Sequence, residues 1–297
     1  MIHDLPSLLP AHQRARLAAG ERLATPLRAR GGAGELVWHR WQPEPGKRRA
    51  AAPPVVLFHG GSGSWTHWIL NIAPLLDAGR TVLAADLPGF GDSAPPEGGS
   101  DADAIAPLLA EGLRALLPGQ PCDLAGFSFG GITAALMLAG APDLARRLVL
   151  VGAPAMGVVP KRQFELKSWR YLKTAAEQEA IHRYNLGELM LHDHQLIDGL
   201  ALQVHIANVL RDRAGRRRLA GTDALARTLP RLTCPVHAIY GAHDVLYRGY
   251  WEPLERAFAA APAVRGLLRI PDAGHWVQFE AAQAFNTALL RAIEETA

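Results

Sequence analysis

The stretch "CDLAGFSFGGITAALMLAG", residues 122–140, decides the fold of this chain. An apolar run, CDLAGF, stops at Ser128, and an alanine-rich run follows the glycine pair Gly130 and Gly131. Short and apolar on both faces, the first run reads as a strand buried in a parallel sheet, and the second reads as a helix. The turn between them must be tight enough to force the serine into strained dihedrals. Its neighbours two positions away on each side must therefore be tiny, and Gly126 and Gly130 meet that demand. Gly-x-Ser-x-Gly in this setting is the pattern of a nucleophile elbow, which presents a hydroxyl at a helix N-terminus. Simple helix capping would suit the same residues.

Similar short apolar runs recur at 54–60, 81–86, 147–153, 236–241 and 266–272, with helical stretches between most of them. This alternation predicts an α/β fold, a doubly wound and mostly parallel sheet with right-handed crossovers. Residues 35–49 read as an early strand at an antiparallel edge, followed by a Pro/Gly turn and a basic loop. Residues 1–24 read as an amphipathic helix. From 156 to 231 no strand is evident and helical patterns run on, which predicts an inserted helical cap over the strand ends. The expected organisation is a core at 1–155, a cap at 156–231 and the rest of the core at 232–297.

The chain has 297 residues, 49% of them hydrophobic, enough for one domain with a large core and an insertion. Its net charge of +3 arises from 31 basic and 28 acidic residues, which gives nucleic-acid binding little support. The arginine-rich run 211–218, RDRAGRRR, reads as a solvated helix or loop face, with contact to an anion or a membrane surface as the alternative. Cys122 and Cys234 are distant and fit neither a disulfide framework nor a metal motif. The N-terminus lacks the pattern of a signal peptide, and no apolar stretch approaches the ~20 residues of a membrane span. A cytoplasmic location is expected; oligomeric state is not legible.

A serine hydroxyl needs a base, and the base needs an orienting carboxylate. In the order Ser…Asp…His, the acid follows a late strand and the histidine the last strand. Asp244 and His275 occupy those places, with Asp272 as competing acid and His243 as rival base. An oxyanion requires two donors. The backbone N–H of Phe129 is one, and the loop HGGSGSW supplies the other at Gly61, with Ser62 as alternate. His59 is expected to organise that loop. His192 and His194 sit two apart on an expected helix and face different ways, so no metal site is expected. Trp65, Trp68, Trp169 and Trp276 are candidates either for an apolar pocket or for the core.

Together FHGG, DLPGFGDS, GFSFGG, YGAHD and PDAGHW resemble the serine α/β-hydrolase superfamily, from about residue 35 to 295. The resemblance implies a cofactor-free hydrolase with Ser128, His275 and Asp244 as its triad. HGGSGSW, GHWVQFE and the Phe285–Asn286 pair are similar to the meta-cleavage-product hydrolases, which cut carbon–carbon bonds. Those enzymes carry an asparagine before the nucleophile, where Phe127 stands here, and a cap arginine for the substrate carboxylate, where His205 aligns. The expected substrate is therefore a small, largely apolar ester or lactone, with Trp276, Phe127 and His205 as binding residues. Two alternatives stay open: a carbon–carbon hydrolase, and a non-catalytic ligand receptor on the same scaffold. Relatives with an aspartate nucleophile are disfavoured by the serine.

Overall fold

The computed structural model describes residues 8–47, 49 and 52–295. Eight strands form one sheet: β1 (Glu21–Ala29), β2 (Gly32–Trp41), β3 (Val55–Phe58), β4 (Val82–Ala85), β5 (Cys122–Phe127), β6 (Ala145–Val151), β7 (Val236–Gly241) and β8 (Val264–Ile270). Their spatial order is β1-β2-β4-β3-β5-β6-β7-β8. β1 and β2 pair antiparallel, as do β2 and β4, and the remaining neighbours are parallel. The order reverses between β3 and β4, and ligands of such sheets bind beyond the carboxyl ends of the strands near a reversal.

Every residue of β3, β4 and β5 is buried. This is the cost-free place for apolar runs when helices cover both faces of a sheet. The helices are α1 (Ala11–Ala18), α2 (Ile72–Asp77), α3 (Ala102–Leu116), α4 (Phe129–Gly140), α5 (Ala175–Asn185), α6 (Leu200–Leu210), α7 (Ala224–Thr228), α8 (Trp251–Ala259), α9 (Val277–Glu280) and α10 (Ala282–Glu294). Two apolar clusters fill the layers on either side of the sheet.

Two expectations at the N-terminal end need correction. The helix expected over 1–24 is confined to Ala11–Ala18 among the described residues, and residues 1–7 lie outside them. From Glu21 the chain is already strand, so the edge is β1 and not the run at 35–49, which becomes the second strand β2. Between β6 and β7 the described chain holds no strand. It comprises α5, a π-helical turn at Leu186–Met190, α6, α7 and short 3-10 turns, with an irregular strip from Gly157 to Lys173. No helix among the described residues is long and apolar enough to cross a membrane.

Candidate active site

At the carboxyl end of β5 the backbone reverses sharply into α4, and Ser128 takes φ 49° and ψ −116°. L-residues rarely occupy that region, and strain there is held only by its surroundings. A Cβ on Gly126 would lie 2.5 Å from the Gly130 carbonyl oxygen, and one on Gly130 would lie 2.5 Å from that of His59. No side chain fits at either position, which is why glycines flank the serine. The Ser128 N–H donates to the Val151 carbonyl at 2.7 Å, pinning the turn to β6. Phe129 opens α4, so its N–H belongs to the first turn, where no intrahelical acceptor exists.

The loop after β3 comes down on this turn: a Cβ on Gly60 would lie 3.2 Å from Ser128 Cβ. His59 clasps the loop. Leu87 N–H donates to its Nε2 at 2.9 Å, so the proton sits on Nδ1, which donates to the Gly60 carbonyl at 2.7 Å. Burial pushes the His59 pKa down to about 4, despite the nearby Asp86 carboxylate. His67 accepts the Gly60 N–H at 3.2 Å, and burial holds it neutral as well. Gly61 follows on the side facing Arg217. Ser62 donates its hydroxyl to Asp212 at 2.6 Å, so its side chain ties the loop to the segment after α6.

Asp244, on the loop after β7, is fully buried; its Oδ1 accepts the Leu246 N–H at 2.9 Å. Its Oδ2 lies 2.9 Å from His275 Nδ1, and His275 Nε2 lies 2.9 Å from Ser128 Oγ. A continuous hydrogen-bonded line thus joins three residues spread over 147 positions. Asp272 is exposed, and His275 bonds to Asp244. His243 stacks on His192 at 3.7 Å and 7°.

The other expected binding residues are scattered. Trp276 is fully buried, stacked on Phe279 with its Nε1–H donating to the His67 carbonyl, and Phe127 is packed between His67 and His275. Both are buried in the core and line neither of the two cavities at the site. Trp65 and Trp68 are also core residues. His205 does line a cavity, and burial lowers its pKa to about 4. Trp169 shares that wall.

Two cavities meet here. One, of about 500 Å³, is lined by Ser128 and His275 together with Pro154, Met156, Val159, Phe164, Leu246 and Tyr247. The second, of about 510 Å³, is lined by Gly61, His67, Trp169, His182 and His205. Leu189 and Arg217 belong to both. The sequence does not single out Arg217 among the five arginines of the run 211–218, which reads as a solvated face or an anion contact. Three metal-type ligands, His39, Asp86 and Asp92, do come close together and line neither of these two cavities. The Asp86 carboxylate there is already occupied by the N–H groups of Trp65 and Asp92, both at 2.9 Å.

A family model described as the alpha/beta hydrolase family matches residues 55–288. The chain is 31% identical over 251 residues to the dihydrolipoyllysine-residue acetyltransferase component of an acetoin cleaving system from Pseudomonas putida. That match covers 80% of this chain and 62% of the relative, so the chain spans less than two thirds of that protein. It is 28% identical over 259 residues to a 2-hydroxy-6-oxononadienedioate/2-hydroxy-6-oxononatrienedioate hydrolase from a Pseudomonas species, covering 80% of this chain and 86% of that one. Among solved structures, the carboxylesterase CesB of Bacillus subtilis is similar with a TM-score of 0.70 at 19% identity, over 96% of each chain. The naproxen esterase of Bacillus subtilis follows with 0.67 at 20% identity, over 94% of each. At such identities these two structures speak to the fold alone.

Proposed function

The chain belongs to the alpha/beta hydrolase family, and from that premise we propose that it is a serine hydrolase cleaving a carboxylic ester or lactone through an acyl-enzyme. The observation that carries this reading is the unbroken line from Asp244 through His275 to Ser128, both contacts at 2.9 Å, ending on a strained elbow.

In this reading Ser128 Oγ attacks the acyl carbon while His275 Nε2 takes its proton, then returns it to the leaving oxygen. Asp244 holds the Nδ1–H tautomer and balances the imidazolium that forms. The N–H groups of Phe129 and Gly61 receive the oxyanion, aided by the positive end of α4. Water attacks the acyl-enzyme by the same route in reverse. Residues 156–231 act as the cap, since their irregular strip contributes Val159, Phe164 and Trp169 to the two cavities.

The similarity to a carbon–carbon hydrolase supports a second reading, and Arg217 supplies a cation that the aligned His205 lacks. The ester reading stands first because the apolar Phe127 stands where the carbon–carbon hydrolases carry an asparagine, and His205, kept uncharged by burial, stands where they carry an arginine.

A fluorophosphonate probe should label the wild type with one equivalent and leave Ser128→Ala unlabelled but folded. Turnover in that variant should fall by several orders of magnitude. More than about a tenth of wild-type ester activity in Ser128→Ala would overturn the assignment, and slow or absent labelling of the wild type would favour a ligand receptor. Kinetics on short esters and on a meta-cleavage dienoate decide between the two hydrolase readings. Esters should win by at least about tenfold in kcat/KM.

A further inference from the structure

Arg217 stands where the two cavities join. Its guanidinium is tethered at one corner, with Nη2 at 3.3 Å from Asp212 Oδ2 and 3.5 Å from Ser62 Oγ. The other corner, Nη1, is buried and has no hydrogen-bond partner. A buried donor left unpaired is destabilising, and more so when charged, so a turn of the guanidinium that brings Nη1 to an acceptor in the cavities it lines would be favoured. The same Nη1 faces the oxyanion loop, since a Cβ on Gly61 would lie 3.5 Å from it. The rings of Phe90 and Phe129 lie 5.0 Å and 5.6 Å from the guanidinium carbon and fix its position.

The charge of the walls points the same way. The cavity that holds Ser128 is lined by Arg162, Arg217 and Arg218, and by no aspartate or glutamate. Among the described residues neither Arg162 nor Arg218 pairs with a carboxylate, so Asp212 neutralises one of three cations at most. Such a field concentrates anions and disfavours cationic ligands. The unpaired Nη1 corner suits a carboxylate oxygen as the acceptor of a charge-assisted hydrogen bond. Because Nη1 lies against Gly61, a carboxylate bound there sits a short chain away from the reacting carbonyl.

We propose that Arg217 is a specificity-determining residue that binds a carboxylate on the acyl group, so that the preferred substrates are half-esters of short dicarboxylic acids. This rests on the ester-hydrolase reading above.

Monoethyl succinate and its neutral isostere ethyl 4-methylpentanoate differ only in replacing a carboxylate by an isopropyl group, and proton release reports both. The wild type should favour the half-ester by at least about tenfold in kcat/KM, and added salt should shrink the ratio. Arg217→Gln should bring the ratio down by about tenfold or more, and Arg217→Lys should restore part of it, since it keeps the charge but not the planar, tethered guanidinium. A wild-type ratio of one or less overturns the proposal without recourse to any variant, and so does a ratio that survives Arg217→Gln. If the neutral isostere is hydrolysed and the half-ester is not preferred, only this inference fails. If neither ester is cleaved and the fluorophosphonate does not label Ser128, the underlying reading fails instead.

Discussion

A carboxylate that orients a histidine must be buried and bonded at both oxygens, or it will wander to another donor. Asp244 meets both conditions, with Leu246 N–H on one oxygen and His275 on the other, whereas Asp272 is exposed at φ 53°. Asp244→Asn would present an amide N–H toward Nδ1 and favour the tautomer with the proton on Nε2, where it blocks the serine. The ester kcat is expected to drop by about three to four orders of magnitude. Asp272→Asn, at a backbone conformation that asparagine tolerates, should stay within about twofold of wild type. Equal losses in the two variants would move the acid from Asp244. These residues were legible in the sequence because each follows an apolar strand at a fixed place, so their identity and position carry the signal together. Arg217 carried no such signal, being one of five arginines in eight residues, and only its depth beside Gly61 sets it apart. Phe127 and Trp276 adjoin Ser128 and His275 in sequence, yet their side chains turn into the core, because adjacent positions of a chain leave the backbone in different directions.

The strands β3 to β7 were legible because they are apolar and largely buried on both faces, and β8, a mostly exposed edge strand, was legible from its apolar residues Leu267, Leu268 and Ile270. The runs expected for β3 to β8 overlap the observed strands, and β7 matches at both ends. β1 was not, since ERLATPLRA alternates exposed and buried positions, carries Pro26 and pairs on one side only. Its polar face is what an edge strand needs to discourage further pairing, and that same polarity resembles an amphipathic helix. One contact at the opposite end of the sheet from Ser128 holds several elements together. Asp123, at the start of β5 and fully buried, accepts from buried Arg80 ahead of β4 and from Arg146 Nε on β6 at 2.7 Å. Arg146 in turn reaches the Ile293 carbonyl on α10 at 3.0 Å. Removing one member of a buried pair leaves the other charge uncompensated, so Asp123→Ala should destabilise the fold by about 3–5 kcal/mol. Urea unfolding measures this, and an unchanged midpoint would show that the network carries no stability. The fraction that remains folded should still label at Ser128, because the defect lies at the far end of β5.

At the scale of the molecule, the site is enclosed by imidazoles that burial keeps uncharged. His59 and His67 organise the loop after β3 that carries the proposed oxyanion donor, and His205 lines the second cavity. The positive character of the cavities comes from arginines, so it does not change across the physiological range, while the histidines make the fold sensitive to acid. Burial lowers the pKa of His59 and of His205 to about 4, and lowers that of His67 too, whereas an unfolded chain binds these protons near 6.5. Below pH 6.5 the unfolded state therefore takes up protons that the folded state refuses. The stability contributed by neutral imidazoles is complete above about pH 6.5 and is lost as the pH falls toward 4. By pH 5 the loss amounts to about 2 kcal/mol for each of His59 and His205, a large share of the 5–15 kcal/mol that stabilises a typical domain. Urea midpoints at pH 7, 6 and 5 should fall steadily, and replacing one imidazole, as in His205→Gln, should remove about 2 kcal/mol of that pH dependence. A midpoint that stays level from pH 7 to 5 would mean that these histidines titrate in the folded protein as they do in water, and that the loop after β3 is open to solvent.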